Sequence, residues 1–423
     1  MKRTVLTSFL ALLVLTLAVG AAFASGTGEQ GGTVKLTFWN GYTGPDRPTI
    51  EAMVKQFNDT HPNIQVAMEI TPWDSLYQKL MPAFIAGTGP DIVGYSVSRV
   101  PEYVKAGRLA ALDSYIGASK SVSRDLLVPG LVQGSTIGGK LYGVPMAFAS
   151  MVMYYNKAQF TAAGLDANNP PKTLADLEAA WKKLVVKDAS GNVTQYAQAI
   201  GIRDTVAMVP VVLWDYGADI VTPDGKSGLG SKAALDALTF LRRAFVEEKV
   251  SPVGLTGQEA DNLFAASKAS IEWNGPWALP GFRKAGIDTG IAEMPSGPAG
   301  RTTWGGDTVL VMNKDSKAKA AVWTFMEYWN GKDAQRMWST QQAFPPTRTD
   351  MANDPDIVKN ADLSFFIKGL AYAKIYMAGQ TKSAEIESSV LVPLYESVFG
   401  GSAEPAAALQ KADAQLSQIL SAQ

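Results

Sequence analysis

The chain has 423 residues, of which 47% are hydrophobic and 18% are charged, and its formal net charge is −1. This composition predicts a folded protein of two domains or one large one, and a charge near zero provides no basic surface for nucleic acid or anionic lipid. The chain contains no cysteine and a single histidine, His61. Disulfides, thiolate nucleophiles and cysteine-ligated metals are therefore excluded, most histidine chemistry is removed, and we expect no metal and no cofactor.

The first 24 residues have the pattern of an export signal. Lys2 and Arg3 precede a mostly apolar stretch at 5–19, and Ala22-Phe23-Ala24 has small residues at the two positions that signal peptidase recognises. We expect cleavage after Ala24, a flexible glycine-rich leader over 25–33, and an exported, periplasmic protein. The absence of a cysteine excludes a lipid anchor, and the remaining alternative is a membrane anchor that is retained.

Strand and helix patterns then alternate up to residue 95. Apolar and polar residues alternate at 34–39 and 64–70, a strand pattern recurs at 91–95, and two helical patterns with one apolar face separate them. This order predicts a parallel sheet with right-handed crossovers, in which ligands bind beyond the carboxyl ends of the strands. That edge carries Trp39 to Tyr42, Trp73 and Tyr95 to Arg99.

Three strand-like segments are predicted to cross between two lobes. The first lies within Gly138–Lys157, where a Gly-Gly turn precedes short strands at 141–144 and 151–155. The others are Arg301–Asp307 and Phe344–Arg348. Three such crossings predict a hinge that closes around a ligand, and the alternative for the first is an ordinary hairpin inside one domain.

The second lobe is predicted to contain helices and a bend rich in aromatic residues. Thr173–Asp176 has the pattern of a capping box that begins a helix. Trp214 and Tyr216 lie in an apolar run, and Trp273 and Trp277 flank an Asn-Gly-Pro break after a strand pattern. Tryptophans at such a bend either fill a core or form platforms on which a sugar ring stacks.

Seven stretches of the sequence together resemble one known family. They are TFWNGYTGPD, VKQFNDTHPNIQV, KLMPAFIAGTGPDIVGYSVSRVPEYVKAGRLAALD, GGKLYGVPMAFASMVMYYNKAQFTAAGL, ASIEWNGPWAL, WGGDTVLVM and FPPTRTD. In order and spacing the chain resembles the extracellular solute-binding proteins of family 1, the carbohydrate receptors of ABC importers, and is similar in layout to maltodextrin-binding proteins. The resemblance covers the chain from about residue 34 to its last residues.

The resemblance implies an α/β fold of the periplasmic-binding-protein type. Two discontinuous α/β lobes would be joined by a multi-strand hinge, with the ligand cleft between them. We expect 34–144 and 304–343 to form the N-terminal lobe, and 145–303 and 344–423 to form the C-terminal lobe.

The resemblance also implies a set of ligand-binding residues. Tyr95 and Trp277 occupy the places of stacking aromatics, Ser98 and Arg99 those of polar sugar contacts, and residues 304–307 that of the second hinge segment. The full predicted set is Trp39, Asn40, Gly41, Tyr42, Tyr95, Ser98, Arg99, Trp214, Tyr216, Asn274, Trp277, Trp304, Gly305, Gly306, Asp307 and Arg348.

The implied function is that of a receptor and not an enzyme. The protein would capture a monosaccharide or short oligosaccharide by hinge closure and deliver it to the permease subunits of an ABC importer, acting as a monomer without nucleic acid. Two departures from the family pattern, Ala149 in place of an acidic residue and the lack of an aromatic near Ser388, count against a long maltodextrin.

Three alternatives stay open from the sequence. The ligand could be a sugar or polyol phosphate such as glycerol-3-phosphate, with Arg99, Arg301 or Arg348 as the anion clamp. Aromatics and carboxylates also describe an exported carbohydrate-active enzyme, although no paired-carboxylate motif stands out. The last alternative is a protein that only binds other proteins.

Overall fold

The computed structural model describes residues 32–203, 208–306 and 308–422. The predicted signal peptide, most of the predicted leader and Asp307 lie outside these residues. No helix in the described part of the chain has the length and apolar character needed to cross a membrane.

The strands are short and most of them belong to one of three sheets. Their bounds are β1 Val34–Asn40, β2 Ile64–Ile70, β3 Ile92–Ser96, β4 Thr136–Ile137, β5 Lys140–Leu141, β6 Gly143–Pro145, β7 Ala149–Ser150, β8 Val152–Asn156, β9 Val186–Lys187, β10 Val193–Ala199, β11 Ala269–Asn274, β12 Thr289–Ala292, β13 Thr303–Gly306, β14 Thr308–Met312 and β15 Ala373–Ile375.

Helices separate most of the strands. Their bounds are α1 Arg47–Thr60, α2 Trp73–Ala86, α3 Val100–Lys105, α4 Asp113–Ala118, α5 Pro129–Gly134, α6 Lys157–Ala162, α7 Leu174–Leu184, α8 Met208–Asp215, α9 Lys232–Arg242, α10 Gly257–Ala265, α11 Leu279–Lys284, α12 Lys319–Trp329, α13 Lys332–Gln342, α14 Pro355–Val358, α15 Ala361–Gly369, α16 Ser383–Ile386, α17 Val392–Phe399 and α18 Pro405–Ser421.

The first sheet contains the parallel strands that the alternating patterns predict. Its order is β2-β1-β3-β14-β6, with β1 parallel to both β2 and β3, and with β14 antiparallel to β3 and β6. Apolar side chains of β1 and α1, such as Phe38 and Phe57, are fully buried in the core beneath this sheet. Strand β14 inserts between β3 and β6 although about 160 residues of sequence separate it from β6.

The second sheet is built from the middle of the chain. Its order is β12-β8-β11-β10-β9, and β10 runs parallel to β11 while the other neighbours are antiparallel. The predicted capping box begins α7, where Thr173 accepts from the Asp176 N–H and Asp176 accepts from the Thr173 N–H. The stripe Leu174, Leu177, Trp181 and Leu184 is buried against this sheet.

A third, three-stranded sheet connects the two larger ones. Its order is β15-β13-β7. Only Met151 separates β7 from β8 of the second sheet, and only residue 307 separates β13 from β14 of the first sheet. The predicted crossings at 141–146 and 301–307 therefore adjoin strands of this connecting sheet, whose residues Ala149, Ser150, Gly305 and Gly306 are small.

The third predicted crossing differs from the structure. Residues 344–348 do not cross: Phe344 packs on Trp338 at 4.7 Å between ring centroids, and the Thr347 N–H donates to Gln335 Oε1 at 2.8 Å, both within the layer of the first sheet. A Phe-Pro-Pro run has the extended backbone of a linker, but here it is buried. The third passage into the connecting sheet is β15, Ala373–Ile375.

Candidate functional site

A cavity of about 760 Å³ lies where the three sheets meet. One side is formed by α2, the segment after β3 and α3, and the other by the loops around Trp277 and by residues 375–392. The connecting sheet closes its base with Trp304, Gly305 and Gly306. A cleft of this size, lined by aromatic and polar side chains, fits a small organic ligand.

The wall on the first-sheet side is a chain of aromatic rings. Trp73 and Tyr77 lie one turn apart at the start of α2, with ring centroids 5.8 Å apart, and Tyr77 meets Tyr95 edge-on at 5.2 Å. Tyr95 donates through its hydroxyl to that of Tyr103 at 3.1 Å. Burial raises the pKa of Tyr95 well above its ordinary value, so its phenol stays neutral and can only exchange hydrogen bonds.

Arg99 and Glu387 form an ion pair across the cavity. The Arg99 Nη2 to Glu387 Oε2 distance is 2.6 Å, and the two side chains are 12% and 19% exposed. The guanidinium also lies 4.2 Å from the centroid of the Tyr77 ring. Burial, the largest single contribution, lowers the pKa of Arg99. Glu387, together with Tyr77, Tyr95 and Glu102, raises this pKa above its ordinary value, so Arg99 keeps its charge.

Two tryptophans, Trp277 and Trp304, also line the cavity. The ring centroids of Trp277 and Trp304 are 6.3 Å apart with the rings near perpendicular, and Trp277 also lies 6.0 Å from Phe344. Trp304 belongs to β13, whose Gly305 packs so closely on Ala373 of β15 that a Cβ would overlap it. Both rings are half-buried, which leaves part of each surface facing the cavity.

The cavity brings together seven of the predicted ligand-binding residues. Tyr95, Ser98 and Arg99 lie on one side of it. The other side and the base carry Trp277, Trp304, Gly305 and Gly306.

The predicted residues Trp39 to Tyr42, at the end of β1 and just after it, lie behind the aromatic wall and not in the cavity. Tyr42 is buried, its hydroxyl lies 2.5 Å from Thr308 Oγ1, and its ring meets Trp73 edge-on. Gly41 lies directly beneath the Trp73 ring. Asn40 is buried beside Tyr42 and accepts its N–H, and Trp39 is covered by the Lys79 ammonium at 4.0 Å. This loop supports Trp73 from behind.

Three further predicted residues of the second half also lie away from the cavity. Trp214 is buried beside a separate space of about 130 Å³, with Lys374 over its ring. Tyr216 packs on Phe240. Asn274 is buried behind Trp277.

Arg348 also lies away from the cavity, and its guanidinium is already hydrogen-bonded to other groups. It donates to Asp350 and to the carbonyl oxygens of Ser121 and Asn330, and it is 4% exposed. These bonds fasten the 344–348 segment to the first layer.

Several cavity residues are absent from the predicted set. Trp73 was expected on the ligand-binding edge, although not in that set, and it lines the cavity. Tyr77 has a visible signal beside it, since aromatic residues at positions i and i+4 of a helix share one face. Glu387, Tyr376 and Thr256 have none, because tertiary packing alone brings them to the cavity. In the described part of the chain no group of three or more acidic or histidine side chains is arranged to hold a metal ion.

Comparison with known proteins gives a match over most of the chain. The family of bacterial extracellular solute-binding proteins matches residues 41–336. A binding protein of Brucella abortus is 28% identical over 405 residues, which cover 94% of this chain and 95% of that protein. The galactooligosaccharide-binding protein of Bacillus subtilis is 25% identical over 74% of this chain and 72% of its own length.

Solved structures have the same fold. The solute-binding protein of an ABC transporter from Thermotoga lettingae, bound with α-D-tagatose, superposes with a TM-score of 0.83 and 24% identity, covering 92% of this chain and all of that one. The two-lobed α/β architecture expected from the sequence is therefore confirmed.

Proposed function

The chain belongs to the family of bacterial extracellular solute-binding proteins, and we propose that it binds an uncharged monosaccharide or short oligosaccharide in the cavity between its sheets and delivers it to the permease of an ABC importer. It is a substrate-binding protein and not an enzyme, so the alternative of a carbohydrate-active enzyme falls away. The observation that carries the ligand class is the cavity lined by four aromatic rings, those of Trp73, Tyr77, Trp277 and Trp304.

This arrangement suits the chemistry of a sugar. A pyranose ring has weakly apolar faces that pack on aromatic rings, and its hydroxyls both donate and accept hydrogen bonds. Tyr95, Ser98 and the Arg99–Glu387 pair offer partners of both kinds. A hydroxyl in the wrong orientation leaves a buried polar group without a partner, which costs about 1–3 kcal/mol and provides selectivity.

Charge distribution supports an uncharged ligand over a phosphate ester. Of the three arginines considered as an anion clamp, Arg348 is held by Asp350 and Arg301 by Glu293 at 2.8 Å. Arg99 does line the cavity, but Glu387 already neutralises it. A phosphate would have to displace this carboxylate or approach it.

We further propose that the layers around the first and second sheets are the two lobes that close on the ligand. Strands β7, β13 and β15 would form the hinge, and residues 344–358 would move with the first lobe, because Arg336 of α13 pairs with Asp354 at 2.9 Å. The protein would act as a monomer in the periplasm after cleavage behind Ala24.

The test is a calorimetric titration of the protein from Ser25 onward with mono-, di- and trisaccharides and with glycerol-3-phosphate. We expect saturable binding of at least one neutral sugar, with a dissociation constant that changes little with salt. Binding of the phosphate alone, weakening steeply with salt, would support the phosphate receptor instead. A folded protein that binds none of these compounds would contradict the proposal.

Two tryptophan variants refine this test. Trp277→Ala should weaken sugar binding by about tenfold or more, because an aromatic platform contributes on the order of 1–3 kcal/mol. Trp39→Ala is the matched control, since this ring contacts Lys79 and not the cavity. Equal losses in the two variants would show that Trp277 is not a platform.

A further inference from the structure

Strand β11 has a polar face that is buried. Ser270, Glu272 and Asn274 alternate along it with Ile271 and Trp273, and the whole strand is inaccessible to solvent. Ile271 and Trp273 belong to the large core of the second sheet, whereas Asn274 contacts Asp261 of α10. Buried polar side chains persist in proteins when they are hydrogen-bonded to one another.

The carboxyl groups of Glu272 and Asp261 converge on the Asn274 amide. Asn274 donates through Nδ2 to Asp261 Oδ1 of α10 at 2.7 Å and to Glu272 Oε1 at 2.9 Å. Its Oδ1 accepts the N–H of Gly275 at 2.8 Å. All of the hydrogen-bonding directions of the Asn274 amide nitrogen are thereby used, and its orientation is fixed.

The network holds the peptide on which Trp277 rests. Gly275 is held at its N–H by Asn274, and at its carbonyl oxygen by the Tyr154 hydroxyl at 2.8 Å. The Trp277 ring lies so close over Gly275 that any Cβ there would overlap it. A shift of this peptide would therefore move the aromatic ring that lines the cavity.

Two carboxyl groups in this network, those of Glu272 and Asp261, lie close together around the Asn274 amide. Glu272 is fully buried, and its Oε2 has no hydrogen-bond donor among the described residues while both carboxyls are charged. Burial, and then the negative charge and hydrogen bonding of Asp261, raise the pKa of Glu272 well above its ordinary value. A proton on Glu272 would be donated to Asp261 and would satisfy both groups.

Among the contacts described, no cationic side chain lies next to Glu272 to stabilise its ionised form. Tyr154 faces Glu272 from β8, and Ala199 of β10 is its uncharged neighbour on the other side. Beyond Tyr154 lie Arg283 and Asp362, which pair with each other at 2.7 Å.

We propose that Glu272, Asn274 and Asp261 are positioning residues for Trp277, and that one proton shared by the two carboxyl groups keeps this wall of the cavity in its binding geometry. The inference rests on the proposed function, because Trp277 is taken as a ligand platform. When the proton leaves, the two carboxylates repel each other across the Asn274 amide and Gly275 is released. Affinity then falls as pH rises through the loss of this proton, by at most about tenfold per pH unit, and levels off at the affinity of the deprotonated form.

The test compares sugar affinity from mildly acidic to alkaline pH in the wild type and in Glu272→Gln. A glutamine keeps the acceptor for Asn274 and donates permanently to Asp261, so this variant should hold the acid-pH affinity throughout. Glu248→Gln is the matched control, a half-buried carboxyl of the same layer that faces Lys182 and Glu178, and it should keep the wild-type profile. Identical profiles for wild type and Glu272→Gln would overturn the proposal.

A second measurement needs no ligand and separates this inference from the proposed function. The tryptophan emission of the ligand-free protein should shift over the same pH range as the affinity, and the shift should be absent from Trp277→Phe and from Glu272→Gln. If Glu272→Gln does not fold, Asp261→Asn supplies the same permanent donor. An emission shift without sugar binding would contradict only the proposed function, whereas no shift in folded wild type would contradict the positioning role.

Discussion

At the residue scale, Asp46 stands out as a buried carboxyl that is poorly compensated. It lies at the N-cap of α1, is 4% exposed, and its Oδ1 has no hydrogen-bond partner among the described residues. Burial raises the pKa of Asp46 from 3.8 to about 7, against hydrogen bonds from nearby backbone groups that lower it. Between pH 3.8 and about 7, the Asp46 carboxyl is therefore protonated in the folded state and ionised in the unfolded state.

The consequence is a stability that falls as pH rises from about 4 to about 7. Asp46→Asn removes the buried charge, so this variant should gain at most about 4 kcal/mol above pH 7, the free-energy equivalent of the pKa difference, and nothing near pH 4. Chemical denaturation at both pH values measures this. Asp59→Asn, at an exposed site on the same helix, should show no such dependence, and a gain that is equal at both pH values would contradict the assignment.

At the scale of elements, the loop between β1 and α1 determines where Trp73 lies. Gly41 is buried and has no room for a Cβ, because that atom would overlap the Trp73 ring. The ring in turn packs on Tyr42 and Tyr77 and lines the cavity. A loop that carries no cavity residue therefore controls one wall of the cavity.

We expect Gly41→Ala to displace Trp73, to weaken sugar binding, and to cost about 1–3 kcal/mol of stability through overpacking. Gly117→Ala is the matched control, since Gly117 is exposed in α4 with nothing within 4 Å of its would-be Cβ, and it should be neutral or slightly stabilising. Calorimetry gives the affinity and thermal unfolding gives the stability. Unchanged affinity in Gly41→Ala would show that the loop does not set the position of Trp73.

At the scale of the whole molecule, the Arg99–Glu387 pair joins the layers of the first and second sheets. Arg99 follows β3, whereas Glu387 lies beside Ile386 and Val390 of the second core. An ion pair of low exposure depends on the two layers being close. It should therefore stabilise the closed arrangement even without a ligand.

Glu387→Gln should shift the ligand-free protein toward a more open form. The buried Arg99 guanidinium would lose its carboxylate, and an uncompensated buried charge is more stable when it is hydrated. Small-angle X-ray scattering should show a larger radius of gyration than in the wild type, and saturating sugar should restore the smaller value. Glu385→Gln, on the exposed side of the same segment, serves as control. A radius of gyration unchanged in Glu387→Gln would mean that the pair does not hold the layers together.

Sequence patterns predicted what depends on local physics. Strand alternation gave β1 and β2, the Thr173–Asp176 motif predicted its capping box, and the bend at Trp277 was recognised as a platform candidate. Contacts between distant segments were not predictable in this way. Nothing near Glu387 indicates Arg99 as its partner, and nothing near Arg348 indicates that the carbonyl oxygens of Ser121 and Asn330 accept hydrogen bonds from it. The Phe344–Arg348 run was misplaced because an extended backbone has the same pattern whether it bridges two lobes or packs inside one.

The central position of β14 has a consequence for how the protein reaches its native state. This strand lies between β3 and β6, so the first sheet remains incomplete until residue 312 joins it. Closing so large a loop is entropically costly, and sheets with such distant strand pairing fold slowly. A nascent chain that carries only the first 145 residues lacks β14, which pairs with both β3 and β6. We expect such a chain to stay unfolded until β14 has been made.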